Sequence, residues 1–136
     1  MTGKVSRNPR DLCPCMRERW YEFLKKALDE SIEPVLIETL RDAERQQHYI
    51  AIGVSWTNNS KHLPQPPFGL SRAFDVCPRS YLTMKGWNPG GTDWSVLAGI
   101  GSVLGLTWGG NWKQRDLAHF QLDFCACPKP NQELLA

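Results

Sequence analysis

The spacing of apolar and polar residues divides the first half of the chain into two helices and a strand. From residue 16 to about 30, apolar side chains recur every three or four positions, which predicts an amphipathic helix. Pro34 ends any such helix, and the apolar run 35–40 predicts a strand. A second helix is predicted over 42–52, because a glycine follows that segment directly.

The second half of the chain alternates polar loops with shorter ordered segments. The loops are predicted at 55–70 and 79–92, where Asn, Ser, Pro and Gly concentrate. The segments between and after them are predicted as a strand, a helix and two strands, at 73–77, 93–104, 106–108 and 118–122. This order predicts an α+β fold, with a central antiparallel sheet and three main helices around it.

Length and composition change this picture little. A chain of 136 residues predicts a single domain over 1–136, and we expect loose ends at 1–12 and 128–136. Hydrophobic residues make up 41% and charged residues 22%, which is typical of soluble globular proteins. The net charge of +2 is too small to indicate nucleic-acid binding. The N-terminus has no apolar signal region, so we expect the protein to be made and folded in a cytoplasm.

Five cysteines, two pairs of them in C-x-C spacing near the two ends, leave several readings open. They are Cys13, Cys15, Cys77, Cys125 and Cys127. Four thiols could hold a structural zinc ion, or oxidised pairs could tie the ends together. The usual structural zinc spacing is C-x2-C or longer. We therefore expect reduced, partly buried thiols.

Three residues could form a metal site. Asp75 lies in the middle of an apolar strand, where an ionised carboxylate needs a compensating charge. Two histidines, His62 and His119, together with Asp75 would leave a fourth zinc position for water, as catalytic sites do. Asp116, three residues before His119, could act as general base. From these spacings alone, satisfied histidines and an Asp–Arg pair are the competing interpretation.

Arg41 follows the strand predicted over 35–40, at a place where a side chain can project into a cleft. Its guanidinium could clamp a substrate carboxylate or steady an oxyanion. The alternative is a surface salt bridge with Asp42 or Glu44. Gln46, about one helical turn further on, could face the same cleft or plain solvent.

Five sequence blocks occur in the order of a known family. They are Arg41 with Gln46; Gly53-Val54-Ser55; Ser60-Lys61-His62 with Ala73-Phe74-Asp75; Trp108-Gly109-Gly110-Asn111-Trp112; and Asp116-Leu117-Ala118-His119-Phe120. Through these blocks the chain resembles the zinc D-Ala-D-Ala carboxypeptidase and L-alanyl-D-glutamate endopeptidase family of peptidoglycan hydrolases. Within that family it is most similar to the compact phage endolysin branch.

The resemblance implies a role for each matching residue. His62, Asp75 and His119 would hold one catalytic zinc ion, and Asp116 would be the base. The residues that would bind the peptidoglycan stem peptide are Arg41, Gln46, Ser60 and Trp112. Family members that cut L-Ala-D-Glu typically carry Asp rather than Glu in the last block, so Asp116 favours the endopeptidase. A zinc-activated water would hydrolyse the amide.

The chain departs from the family pattern between two of the implied ligands. His62 and Asp75 are thirteen residues apart because a proline-rich segment, 63–70, separates them, and Ser71 stands where a glycine is expected. We expect this segment to bulge outward while both ligands keep their places, which leaves the shape of the cleft rim open.

The resemblance also implies a biological setting. We expect a monomer that waits in the host cytoplasm and reaches the cell wall after a separate pore-former opens the membrane. Three alternatives stay open at this stage. They are a D,D-carboxypeptidase or dipeptidase on the same scaffold, a non-catalytic wall-binding module, and a cysteine–zinc interaction module.

Overall fold

Four strands and three α-helices are the main regular elements of the residues that the structure describes. The computed structural model describes residues 5–57, 59–83 and 91–124. The strands are β1 (Pro34–Glu38), β2 (Ala73–Pro78), β3 (Thr107–Trp108) and β4 (His119–Gln121), and the helices are α1 (Pro14–Asp29), α2 (Ala43–Ala51) and α3 (Thr92–Val103). The strands form one antiparallel sheet in the order β1-β2-β4-β3. The predicted α+β fold is confirmed.

Strand pairing gathers polar residues on one face of the sheet. Asp75 in β2 lies opposite His119 in β4, and Glu38 at the end of β1 also pairs with Asp75 after a register shift. Directly opposed residues of an antiparallel pair project from the same face. The next pair along, Phe74 and Phe120, projects from the other face. The alternation therefore separates a polar face from an apolar one.

The apolar face of the sheet packs against α1 and α3. Phe23 of α1 meets Phe74 and Phe120 edge-to-face, with ring centroids 5.3 Å and 5.0 Å away. Each such pair contributes about 0.5–1.5 kcal/mol beyond area burial. A Cβ on Gly101 of α3 would lie 2.7 Å from the ring of Phe120, so this glycine permits α3 to approach the sheet closely. The core thus fixes the strands from the apolar face of the sheet and leaves the polar face uncovered.

The start of the chain differs from its prediction. Residues 5–12 pack onto the domain: Leu12 is fully buried, and the backbone of Ser6 pairs with those of Thr39 and Leu40. The prediction of a loose segment is therefore wrong for 5–12. The same pairing explains why β1 ends at Glu38, two residues before the predicted strand end, because Thr39 donates to Ser6 instead of to β2.

Several other predictions fall partly outside the described residues. Cys13, Cys15 and Cys77 are buried as expected, and the Sγ atoms of Cys13 and Cys15 are 3.5 Å apart. Cys125 and Cys127 lie outside the described residues, as does the segment 128–136. Within the described ranges, no helix combines the length and apolarity needed to cross a membrane.

Candidate active site

Two histidines and an aspartate meet on the polar face of the sheet. Asp75 projects from β2 and His119 from β4, while His62 comes from the loop before β2. The Nε2 atom of His62 is 3.0 Å from Asp75 Oδ1, and the Nδ1 atom of His119 is 3.2 Å from that same oxygen. The three ligand atoms lie within 4.8 Å of one another. The structure therefore brings the three implied metal ligands together.

Each histidine uses its second ring nitrogen to bond an acceptor behind the site. His62 Nδ1–H donates to the backbone carbonyl of Thr39 at 2.7 Å. His119 Nε2–H donates to Gln121 Oε1, also at 2.7 Å. The orientation of that amide is set because Gln121 Nε2 donates to Asp123. Both histidines are thus held with the remaining nitrogen turned toward the centre of the cluster, as second-shell partners of metal sites do.

The donor set fits a zinc ion. Tetrahedral zinc with bonds of about 2.0–2.1 Å to nitrogen and oxygen places its ligands roughly 3.3 Å apart. The separations from Asp75 Oδ1 to His62 and His119, 3.0 Å and 3.2 Å, are close to that value. Three protein ligands also leave a fourth tetrahedral position for water or substrate. The arrangement suits a catalytic zinc site.

The charges of the cluster favour positive charge at its centre. Burial would raise the pKa of Asp75, but the charge of His62 and hydrogen bonds from both histidines hold that pKa well below its usual range. Burial would lower the pKa of His119, but the hydrogen bond and charge of Asp75 raise it above its usual value. The ionised carboxylate therefore demands positive charge, which either extra protons on the histidines or a metal ion can supply.

Asp116 lies beside the cluster at the edge of the cleft. Its Oδ2 atom is 4.0 Å from His119 Nδ1, and its side chain is half-exposed. Burial and the negative charge of Asp75 raise the pKa of Asp116. A carboxylate close to a metal ligand, but outside the ligand cluster, can exchange protons with a water bound at the centre.

The Trp-Gly-Gly segment determines where Asp116 lies. The backbone N–H of Asp116 donates to the carbonyl of Gly109 at 2.9 Å. A Cβ on Gly109 would lie 2.6 Å from the Asp116 carbonyl oxygen, and a Cβ on Gly110 would lie 2.1 Å from the ring of Trp108. Only glycine fits both positions without a shift, so the motif holds the candidate base close to β4.

Arg41 lines the cleft from within a buried network. Its Nε donates to Glu38 at 2.5 Å, its Nη1 donates to Gln46 Oε1 at 2.6 Å, and its guanidinium stacks 4.6 Å from the ring of Tyr49. The alternative of a surface salt bridge with Asp42 or Glu44 is not what the structure contains, because Glu38 is the partner. Two of the three guanidinium nitrogens are thereby occupied.

Gln46 does not face the cleft, and this corrects its predicted role. Its side chain is 1% exposed, and its amide nitrogen donates to Ser55 Oγ and to the carbonyl of Thr57. Both the substrate-contact prediction and the solvent-exposed alternative are therefore wrong. Gln46 instead orients Arg41 and ties α2 to the loop that follows it.

Ser60 and Trp112 line the cleft with the metal-ligand cluster between them. The hydroxyl of Ser60 accepts a hydrogen bond from the backbone N–H of His62 at 3.2 Å, so it positions that ligand. The Trp112 ring lies against His119, with centroids 4.9 Å apart. The cleft encloses about 730 Å³, which falls within the range of small-molecule and peptide sites.

The long segment between His62 and Asp75 closes on itself. The backbone N–H of Gln65 donates to the carbonyl of Leu70 at 3.0 Å, so the intervening residues form a turn, and the lining of the cleft includes none of residues 63–70. Ser71, at the position of the expected glycine, is buried and accepts a hydrogen bond from the backbone of Ala73. Both ligands therefore meet at the site although they are thirteen residues apart in the sequence.

Three contributors to the site were missed by sequence reasoning. The alternation of β4 could have indicated Gln121, because it lies two positions after His119 and shares its face. Glu38 could have been noticed because it is a charged residue at the end of an apolar strand. Nothing in the sequence indicates the carbonyl of Thr39, since every residue type has a backbone carbonyl.

Comparisons with known proteins agree with this geometry. A family model described as D-alanyl-D-alanine carboxypeptidase matches residues 53–122, just over half of the chain and the part that contains the metal-ligand cluster and Asp116. The crystal structure of the Serratia marcescens L-Ala D-Glu endopeptidase ChiX is similar with a TM-score of 0.63 and 25% identity. That similarity covers 91% of this chain and 90% of the Serratia chain. None of the curated proteins matches the sequence.

Proposed function

The chain belongs to the D-alanyl-D-alanine carboxypeptidase family of peptidases, and from that premise we propose that it is a zinc-dependent endopeptidase of peptidoglycan, hydrolysing the L-Ala–D-Glu amide bond of the stem peptide. The observation that carries the proposal is the cluster of His62, Asp75 and His119 with Asp116 beside it. A peptidase acting on the cell wall is the function common to the family and to the structural neighbour.

Each side chain of the site has a part in this chemistry. Zinc, when bound by the cluster, would supply Lewis acidity that lets a water molecule lose a proton at neutral pH. Asp116 accepts that proton and delivers it to the leaving amine, because its carboxylate lies beside the cluster without being one of the ligands. Arg41, whose Nε and Nη1 already donate to Glu38 and Gln46, offers Nη2 as a hydrogen-bond donor to the substrate carbonyl.

Three observations favour an internal bond over a terminal one. The similarity to the Serratia endopeptidase extends over nearly the whole chain. Asp116 is the shorter acid that the resemblance associates with L-Ala-D-Glu cleavage. Arg41 is already neutralised by Glu38, which makes it a weak clamp for the free terminal carboxylate that a carboxypeptidase must hold.

A digest of defined muropeptides followed by mass spectrometry tests the proposal. We expect one new amine on D-Glu and one new carboxyl group on L-Ala, with activity lost after chelation and restored by zinc. Release of D-Ala would instead support a D,D-carboxypeptidase, the second candidate, which the description of the family model favours. Binding to the wall without new amines would contradict both enzymes.

The three histidines provide a matched set of variants for this digest. His62→Ala and His119→Ala should abolish both zinc binding and hydrolysis, because each removes a ligand. His48→Ala is the control, since His48 lies in α2 outside the cluster and should keep full activity. Equal loss in all three would indicate damage to the fold instead. The endolysin role and the cytoplasmic location remain predictions of the resemblance.

A further inference from the structure

A pair of tryptophans leads from the metal-ligand cluster to solvent. Trp56 is 61% exposed on the loop after α2, and its ring packs edge-on against Trp112 with centroids 6.2 Å apart. Trp112 in turn lies against the ring of His119. We call Trp56 and Trp112 the tryptophan shelf. Large apolar side chains this exposed beside a site commonly mark a ligand-binding surface.

The shelf borders a hollow of its own that is continuous with the cleft. The hollow encloses about 360 Å³, and Lys113 and Gln114 complete its lining. Both tryptophans also line the main cleft, so one ligand can occupy the two spaces together. Apolar ring faces next to an ammonium and an amide suit a ligand that has an apolar face and a hydroxylated edge. A sugar ring has that construction.

The covalent structure of peptidoglycan places a sugar close to the L-Ala–D-Glu bond. Its stem peptide begins with L-Ala, which is attached through a lactyl group to a sugar of the glycan strand. An extended chain spans about 3.3–3.6 Å per residue, so that sugar lies about two residue lengths from the L-Ala–D-Glu bond. The ring of Trp56 contacts that of Trp112 with centroids 6.2 Å apart, and the ring of Trp112 contacts that of His119 with centroids 4.9 Å apart. The D-Ala end of the stem is several residues further from any sugar.

We propose that the tryptophan shelf binds the glycan sugar next to the stem peptide, so that the enzyme prefers glycan-linked peptides over free ones. The proposal rests on the function proposed above. Trp56 is the specificity-determining residue, because Trp112 also supports a metal ligand. The shelf would then hold the amino-terminal side of the substrate while the cluster acts on the bond.

Paired substrates test the shelf. One is a muropeptide that carries its sugar, and the other is the same stem peptide with an acetylated N-terminus in place of the lactyl sugar. We expect Trp56→Ala to lower kcat/KM about tenfold on the muropeptide and less than about twofold on the acetylated peptide. Trp56→Phe should retain most of the preference, because it keeps an aromatic face.

Ile52→Ala is the matched control, since Ile52 is a similarly exposed apolar residue directly after α2 and lines neither the cleft nor the hollow. It should change neither rate. Equal effects of Trp56→Ala on both substrates, or none on either, would overturn the shelf proposal. Failure of the wild-type enzyme to cut either substrate would instead contradict the proposed function, so the two failures are distinguishable.

Discussion

Each histidine of the metal-ligand cluster is held by a second contact. Thr39 and Gln121 accept from the outer nitrogens of His62 and His119, so neither ring can rotate away without losing a buried hydrogen bond. Ser60 holds the backbone of His62 in the same way. The site is therefore pre-organised before any metal binds, and the ligands need little rearrangement to accept one.

A substitution at Asp116 should separate metal binding from turnover. We expect Asp116→Ala to keep about one zinc per chain while kcat falls by about 10²- to 10⁴-fold, because the carboxylate moves protons without being part of the cluster. Metal analysis and rates on purified peptidoglycan measure the two effects. Asp29→Ala, an exposed aspartate at the end of α1, is the control. Full activity of Asp116→Ala would remove it from the mechanism.

Short elements carry the site, and the turn between β3 and β4 carries Trp112 and Asp116. Gly109 and Gly110 let this turn fold back onto Trp108 and Asp116 at distances that a Cβ would forbid. The Nε1–H of Trp108 then donates to the Leu117 carbonyl at 2.8 Å, which fixes the residues leading into β4. A three-residue strand such as β4 depends on this bracing for its position.

Gly109→Ala tests the turn. The added methyl would meet the Asp116 carbonyl, so we expect a loss of about 1–3 kcal/mol in unfolding free energy. We also expect at least a tenfold loss of activity, because Asp116 and His119 would shift. Denaturant unfolding and peptidoglycan turnover measure these. Gly99→Ala in α3 is the control: a Cβ there meets no atom within 4 Å, so stability should hold or rise slightly.

Over the whole molecule, the apolar face of the sheet and its helices form a rigid base under a polar site. Phe74 and Phe120 hold the strands down while Asp75 and His119 project from the opposite face. A partly buried, ionised Asp75 is unfavourable in this setting unless a cation balances it. Metal binding and folding should therefore be coupled.

Thermal unfolding measures this coupling. At a zinc concentration 100-fold above the dissociation constant, binding adds about 2.7 kcal/mol, which raises Tm by on the order of 10 °C. The gain should disappear in His62→Ala and persist in His48→Ala, which lies outside the metal-ligand cluster. A wild-type Tm that is indifferent to zinc and to chelation would contradict a metal site built from this cluster.

Local patterns in the chain were sufficient for the fold class. The position of Asp75 inside an apolar segment and the ordered family blocks pointed to Asp75, His119 and His62, because residue type and order are properties of the sequence itself. The ends of the elements differed from prediction where hydrogen-bond partners lie far apart in the sequence. The pairing of Ser6 with Thr39 shortened β1 and ordered a start that local composition described as loose.

Relations between segments far apart in sequence needed the folded molecule. The pairing of β2 with β1 and β4 brings Glu38, Asp75 and His119 together, and no local pattern encodes which strands become neighbours. The same holds for Gln46, whose burial depends on the loop that folds over α2. The sequence determines the type and order of the side chains. Their burial, hydrogen-bond partners and charge balance arise only when segments distant in sequence come into contact.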